Sequence, residues 1–130
     1  MASELRVNTL KDASGNNSVA TSYVANGSAK SWCNLNGEST IAIRGSLNVA
    51  SLTDDGTGDY KTNFTSAMAN ANFSGVIISG TVTEGGTGAT RDQEVRGTSS
   101  AHLGVHVFHT SSEAARDVDY VATSVHGDLA

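Results

Sequence analysis

Apolar side chains fall at every second position over much of this chain, and runs at helical spacing are scarce. Successive side chains of an extended strand point to opposite faces, so such alternation predicts strands with one covered face. Leu5 and Val7 share a face within Glu4–Leu10, and Asp12–Asn17 (DASGNN) then predicts a turn. Val19, Thr21 and Tyr23 share the next face, followed by the turn pair Asn26-Gly27. Trp32 and Cys33 open a brief strand that closes at Asn36-Gly37. Ile41, Ile43, Leu47 and Val49 occupy one parity of the next strand, with Gly45 interrupting. A glycine inside an alternating run predicts a bulge or a close backbone approach.

Asp54-Asp55-Gly56-Thr57-Gly58 breaks the chain as a turn, and Tyr60, Thr62 and Phe64 restart the alternation. Phe73–Thr83 (FSGVIISGTVT) is apolar on both parities, which predicts a strand covered on both faces. Glu84–Thr90 (EGGTGAT) reads as a flexible loop; Val95, then Leu103, Val105 and Val107, then Asp117–Val125 supply further strands. Ala67–Ala71 and Ser112–Arg116 are each long enough for one helical turn. Roughly seven to nine short strands with frequent turns predict an all-β fold, a β-sandwich or a jelly-roll-like domain. Residues 1–30 are poorer in bulky side chains. They are expected to form a leader for attachment or trimerisation, or a strand exchanged between subunits, ahead of a sandwich at 31–130. The other reading makes them the first strand pair of that sandwich.

Composition sharpens this picture. Ser, Thr, Asn and Gly supply 55 of the 130 residues, and Ile, Leu, Val and Phe only 26. At about 25 cal/mol per Å² of apolar surface, so small a set struggles against a chain entropy of about 1–2 kcal/mol per residue. Self-association relieves the shortage, because one apolar stripe then serves both fold and interface. With 8 basic against 13 acidic residues and a net charge of -5, the chain does not offer a nucleic-acid surface. It contains no apolar run of membrane-spanning length, and its first residues do not read as a secretory signal. The single cysteine, Cys33, excludes an intrachain disulfide framework and a multi-cysteine metal knuckle.

Candidate chemistry is thin, and no catalytic residue, metal ligand or cofactor is predicted. His102, His106 and His109 cluster in HLGVHVFH, but on a strand His102 and His106 stand about 13 Å apart, too far to share one ion. Copies of one histidine around a trimer axis are the remaining route to a metal; hydrogen-bonded strand histidines are the plainer reading. Cys33 has only Lys30 as a nearby base and reads as a buried structural thiol. Gly85-Gly86-Thr87-Gly88 lacks the lysine and spacing of a phosphate loop, and no G-x-S-x-G elbow occurs. Asp54/Asp55 and Asp117/Asp119 are acidic pairs of the kind glycosidases or calcium sites use; for Asp54/Asp55 the turn explains the residues.

Three segments carry a resemblance. Val7, Asn8, Thr9, Leu10, Asp12, Gly15, Asn16 and Asn17 match a V-N-T-L-x-D-x-x-G-N-N start. Gly27, Ala29, Lys30, Trp32, Asn34, Asn36 and Gly37 match G-x-A-K-x-W-x-N-x-N-G. Ser51, Asp54, Gly56, Thr57, Gly58, Asp59, Tyr60, Asn63, Phe64, Ala67 and Met68 match S-x-x-D-x-G-T-G-D-Y-x-x-N-F-x-x-A-M. With the closing DVDYVATSVHGDLA, these look like a tail-fibre domain common in tailed phages of marine and cyanobacterial hosts. The likeness covers most of positions 5–75 and the final strand. Ala69 stands where that family often has proline, and His126 where it has phenylalanine.

The resemblance implies a virion structural protein of the tail or baseplate: a homotrimeric fibre that supports adsorption to the bacterial surface. Its partners would be other tail or baseplate proteins and a host surface glycan or protein, with no nucleic acid and no membrane insertion. Alternatives are a connector that anchors a longer fibre to the baseplate, and a free carbohydrate-binding module. No receptor-binding residue follows from the resemblance; Glu84–Thr90 and Gly97–Ala101 are expected to face the host from their glycine and serine content.

Overall fold

The computed structural model describes residues 3–80 and 91–130. Two short strands, β1 (Thr9–Lys11) and β2 (Ser18–Ala20), form a hairpin that, among the described residues, pairs only with itself. Its turn is held by Asp12, whose carboxylate accepts from the Asn16 backbone N–H (3.0 Å) and the Asn17 amide (2.7 Å). A single helix follows, α1 (Thr21–Gly27), with no buried residue.

Eight strands then build a β-sandwich: β3 (Ser31–Asn36), β4 (Ala42–Leu47), β5 (Val49–Gly56), β6 (Asp59–Phe64), β7 (Ser74–Gly80), β8 (Arg91–Val95), β9 (His102–His109) and β10 (Tyr120–His126). They form two antiparallel sheets, ordered β4-β3-β10-β7 and β5-β6-β9-β8. The period-two pattern sets the core. Cys33 and Leu35 of β3 and Val121 and Val125 of β10 face Tyr60, Thr62 and Phe64 of β6 and Leu103, Val105 and Val107 of β9, all buried. Met68 and Val118 close the core from connecting segments. Fully burying a Val, Leu or Phe contributes roughly 1.5–3 kcal/mol relative to leaving it exposed.

Four expectations need correction. The Val19–Tyr23 alternation does not continue as a strand, because the chain turns into α1 at Thr21 and leaves Tyr23 exposed on the helix. Ile41 to Val49 is not one strand: at Asn48, whose φ is +55°, the chain leaves one sheet for the other. Asn48 holds that corner, its amide donating to the Ser66 carbonyl (3.0 Å) and its side-chain oxygen accepting from the Ser66 N–H (2.7 Å). Ala67–Ala71 and Ser112–Arg116 form no helical turn; Met68 instead bridges to Leu129, and Ala115 to Phe108. Finally, β7 is covered on one face only: Ile77 meets the core, whereas Val76 and Ile78 are 58% and 60% exposed. The irregularity expected at Gly45 is present, as a register shift between β3 and β4.

Two glycines lock one end of the sandwich. Gly58 (φ +71°) sits in the β5–β6 turn, where a Cβ would come within 2.3 Å of the Val107 carbonyl oxygen. A Cβ on Gly37 would come within 2.5 Å of the Tyr60 ring. Asp117 ties these pieces together, accepting from the Gly58 N–H (2.8 Å) and the Tyr60 hydroxyl (3.0 Å), with the Gly37 carbonyl 2.9 Å from the same hydroxyl. Burial, reinforced by the Asp117 carboxylate, holds the Tyr60 phenol well above its ordinary pKa.

Candidate functional site

The two outer faces of the sandwich differ in kind. On the β5-β6-β9-β8 sheet the outward residues around β5 and β6 are polar and mutually paired. Asn63 donates to Ser51 (3.1 Å) and Thr53 (2.9 Å), Lys61 pairs with Asp55, and His106 with Asp59 (2.9 Å). Such a surface is at home in water.

The outer face of β4-β3-β10-β7 is not. Antiparallel register aligns Leu47, Trp32, Ser124 and Val76 in one row across all four strands. The adjacent row places Gly45, Asn34, Ala122 and Ile78 side by side. Trp32, Leu47, Val76 and Ile78 are 42%, 50%, 58% and 60% exposed. The Trp32 ring lies over Gly45, with ring carbons 3.5 and 3.6 Å from where a Cβ would stand. Asn34 Oδ1, on this same face, is buried without a hydrogen-bond partner among the described residues. An orphaned acceptor of that kind costs about 1–3 kcal/mol. The apolar surface continues around Leu47 into an open groove of about 460 Å³, lined also by Ala29, Lys30, Asn48, Thr65, Ser66 and Leu129. Leu129 is itself exposed.

The segment before β3 repeats this theme. Leu5, Val7, Leu10, Val19, Tyr23 and Val24 are all exposed, so the hairpin and helix leave their apolar side chains uncovered. Large contiguous apolar patches, unlike scattered exposed residues, mark interaction sites on protein surfaces.

The sandwich also has a direction. The segment ending at Lys30, the 65–73 and 96–101 connections and the C-terminal residues lie at one end; the 37–41, 57–58 and 110–119 connections lie at the other. Gly80 and Arg91, which flank Glu84–Thr90, belong to the second end through their pairing with Tyr120 and His109. Glu84–Thr90 itself lies outside the described residues. Gly97–Ala101 leaves from the first end and is tied to the body: Met68 N–H donates to the Ser100 carbonyl (2.8 Å) and Phe64 N–H to the Ala101 carbonyl (2.8 Å). Gly97–Ala101 and the strand ends at Gly80 and Arg91 therefore lie at opposite ends of the sandwich.

The remaining candidates have structural employment. His102 contacts Ser99 (3.0 Å) and the Gly97 carbonyl (2.7 Å), His109 contacts Ser111 (3.0 Å), and His126 contacts Ser124 (3.2 Å) and the Gly27 carbonyl (3.1 Å). Among the described residues, no three His, Cys, Asp or Glu side chains are grouped to hold a metal. Asp54 accepts from the Gly56 N–H (3.0 Å) at a bulge in the end of β5; the turn expected over Asp54–Gly58 is confined to Thr57-Gly58. Burial pushes the Cys33 thiol up to about 11, away from nucleophilic reactivity. No helix among the described residues is long and apolar enough to cross a membrane.

Comparison with family models, curated proteins and solved structures finds no match.

Proposed function

We propose that this chain is a virion structural protein: a homotrimeric tail or baseplate fibre that supports adsorption to a bacterial surface. The observation that carries the reading is the bare apolar face of the β4-β3-β10-β7 sheet, beside a leader with apolar residues of its own. Covering such a face with further copies removes apolar area from water and shields the open strand edges β4 and β7. A rotationally closed ring of copies repeats the same covering contact on every subunit. The number three and the phage context come from the resemblance to tail-fibre domains. The direction of the sandwich suits the same reading, with the leader at one end for attachment.

Detection of the chain in purified phage particles, and its localisation on them by electron microscopy, tests the assignment. A tail or baseplate position at the particle surface is expected. Absence from particles, with the protein free in the lysate, overturns it in favour of a free binding module.

A further inference from the structure

A second feature lies on the polar sheet, near the end remote from the leader. Glu94 of β8 stands opposite His106 of β9, and Phe108 follows two residues along on the same face. The turn after β9 brings Glu113 alongside, its N–H donating to the His109 carbonyl (2.8 Å). These four residues line an open dish of about 310 Å³. His106 and Phe108 stack, with ring centroids 5.5 Å apart and planes 25° from parallel, and form an aromatic wall.

The polar chemistry of the dish runs one way. Asp59 Oδ1 lies 2.9 Å from His106 Nδ1. The Asp59 carboxylate accepts from Nδ1–H there, which turns Nε2 away from Asp59. The Glu94 and Glu113 carboxylates are acceptors too, and no described cationic side chain pairs with either. A dish that combines an aromatic wall with acceptors suits a ligand rich in hydroxyl donors that also has an apolar C–H face. It repels anions. Its volume sits at the small end of ligand sites, enough for about one sugar ring.

We propose that Glu94, His106, Phe108 and Glu113 form a saccharide subsite for a neutral pyranose. The carboxylates accept hydroxyl protons and the aromatic wall packs against the C–H face. Uronic and other acidic sugars are rejected by charge. Use of this site on a host surface rests on the fibre reading, where several copies compensate for weak single contacts; sugar binding itself does not.

The test titrates the full chain with methyl glycosides of glucose, galactose and mannose, with methyl glucuronoside and trilysine as contrasts, and follows backbone amide resonances by NMR. Saturable shifts at Glu94, His106, Phe108 and Glu113 with at least one neutral glycoside, and none with glucuronoside, are expected. Hydrogen bonds to charged acceptors carry enough energy that Glu94→Gln and Glu113→Gln should each weaken binding about tenfold. Val76→Thr, on the opposite sheet, should leave it unchanged. Three results overturn the proposal: no neutral glycoside saturates into the tens of millimolar, the glutamine variants bind as the parent does, or trilysine binds more tightly than every sugar. A chain that binds sugar but is missing from particles refutes the fibre reading alone. A chain found on particles that binds no sugar refutes only this site.

Discussion

Trp32 and Leu47 stand directly opposite each other on β3 and β4, and both turn away from the core. A cross-strand pair of this kind contributes about 0.2–1 kcal/mol to a sheet, yet these two side chains remain 42% and 50% exposed. Their row continues through the Ser124 hydroxyl to Val76, so exposed apolar side chains reach both edge strands of the sheet.

Changing that row should separate assembly from folding. Val76→Thr with Ile78→Thr keeps β-branched side chains and touches no buried contact, so the sandwich should form as before. Self-association should weaken at least tenfold. Sedimentation velocity with a parallel circular dichroism spectrum checks both; unchanged assembly by the folded double variant would clear this face of any role.

Gly58 carries the opposite kind of constraint. Its positive φ and the 2.3 Å approach of the Val107 carbonyl to a Cβ position exclude a side chain. Gly58→Ala should cost about 2 kcal/mol or more, read as a lowered urea midpoint with an unchanged slope. Gly27, with nothing near its Cβ position, is the matched control: Gly27→Ala should be close to neutral.

Asp117 makes a sharper case, because sequence reading grouped it with possible catalytic carboxylates. Here its carboxylate is bound to the Gly58 N–H and the Tyr60 hydroxyl. Asp117→Ala strands a buried phenol and a backbone donor, for a loss of about 1–3 kcal/mol. Equilibrium unfolding of the variant should show that loss; full stability would mean the hydrogen bonds are dispensable.

The two buried weak acids fix the direction of the alkaline response. Cys33, ordinarily near 9.0, is held up to about 11 by burial, and Tyr60 is raised in the same sense. A raised acid binds its proton more tightly when folded. Stability from this source is therefore complete at neutral pH and declines as pH climbs from about 9 toward 11. Urea midpoints across that range should fall, and Cys33→Ala should flatten part of the decline. Thiol alkylation near pH 8 should be slow until the protein is unfolded.

Much of the fold was legible because alternation was strong where both sheets meet. Leu103, Val105 and Val107 read as one inward face, as did Tyr60, Thr62 and Phe64, and all are buried. Failures arose where alternation alone could not say which elements pair. Nothing local in Ile41–Val49 announces the change of sheet at Asn48, since both halves keep the same parity. Apolar residues on both parities of Phe73–Thr83 predict two covers, and sequence does not state whether the second cover belongs to the same chain. The motif positions explain themselves structurally: Gly37, Gly58, Tyr60, Phe64 and Met68 are core or turn positions. A resemblance resting on them speaks first to architecture. The dish proposed for a saccharide is not legible in the sequence, because it joins Glu94, His106 and Glu113 from three separate segments that only the β8–β9 register and the turn after β9 bring together.

Light scattering coupled to size-exclusion chromatography on the purified full chain, at micromolar concentration, measures the central claim directly. A mass three times that of the 13.3 kDa chain is predicted. A folded, stable species at the mass of one chain, with the Trp32 face left open to water, would contradict the account.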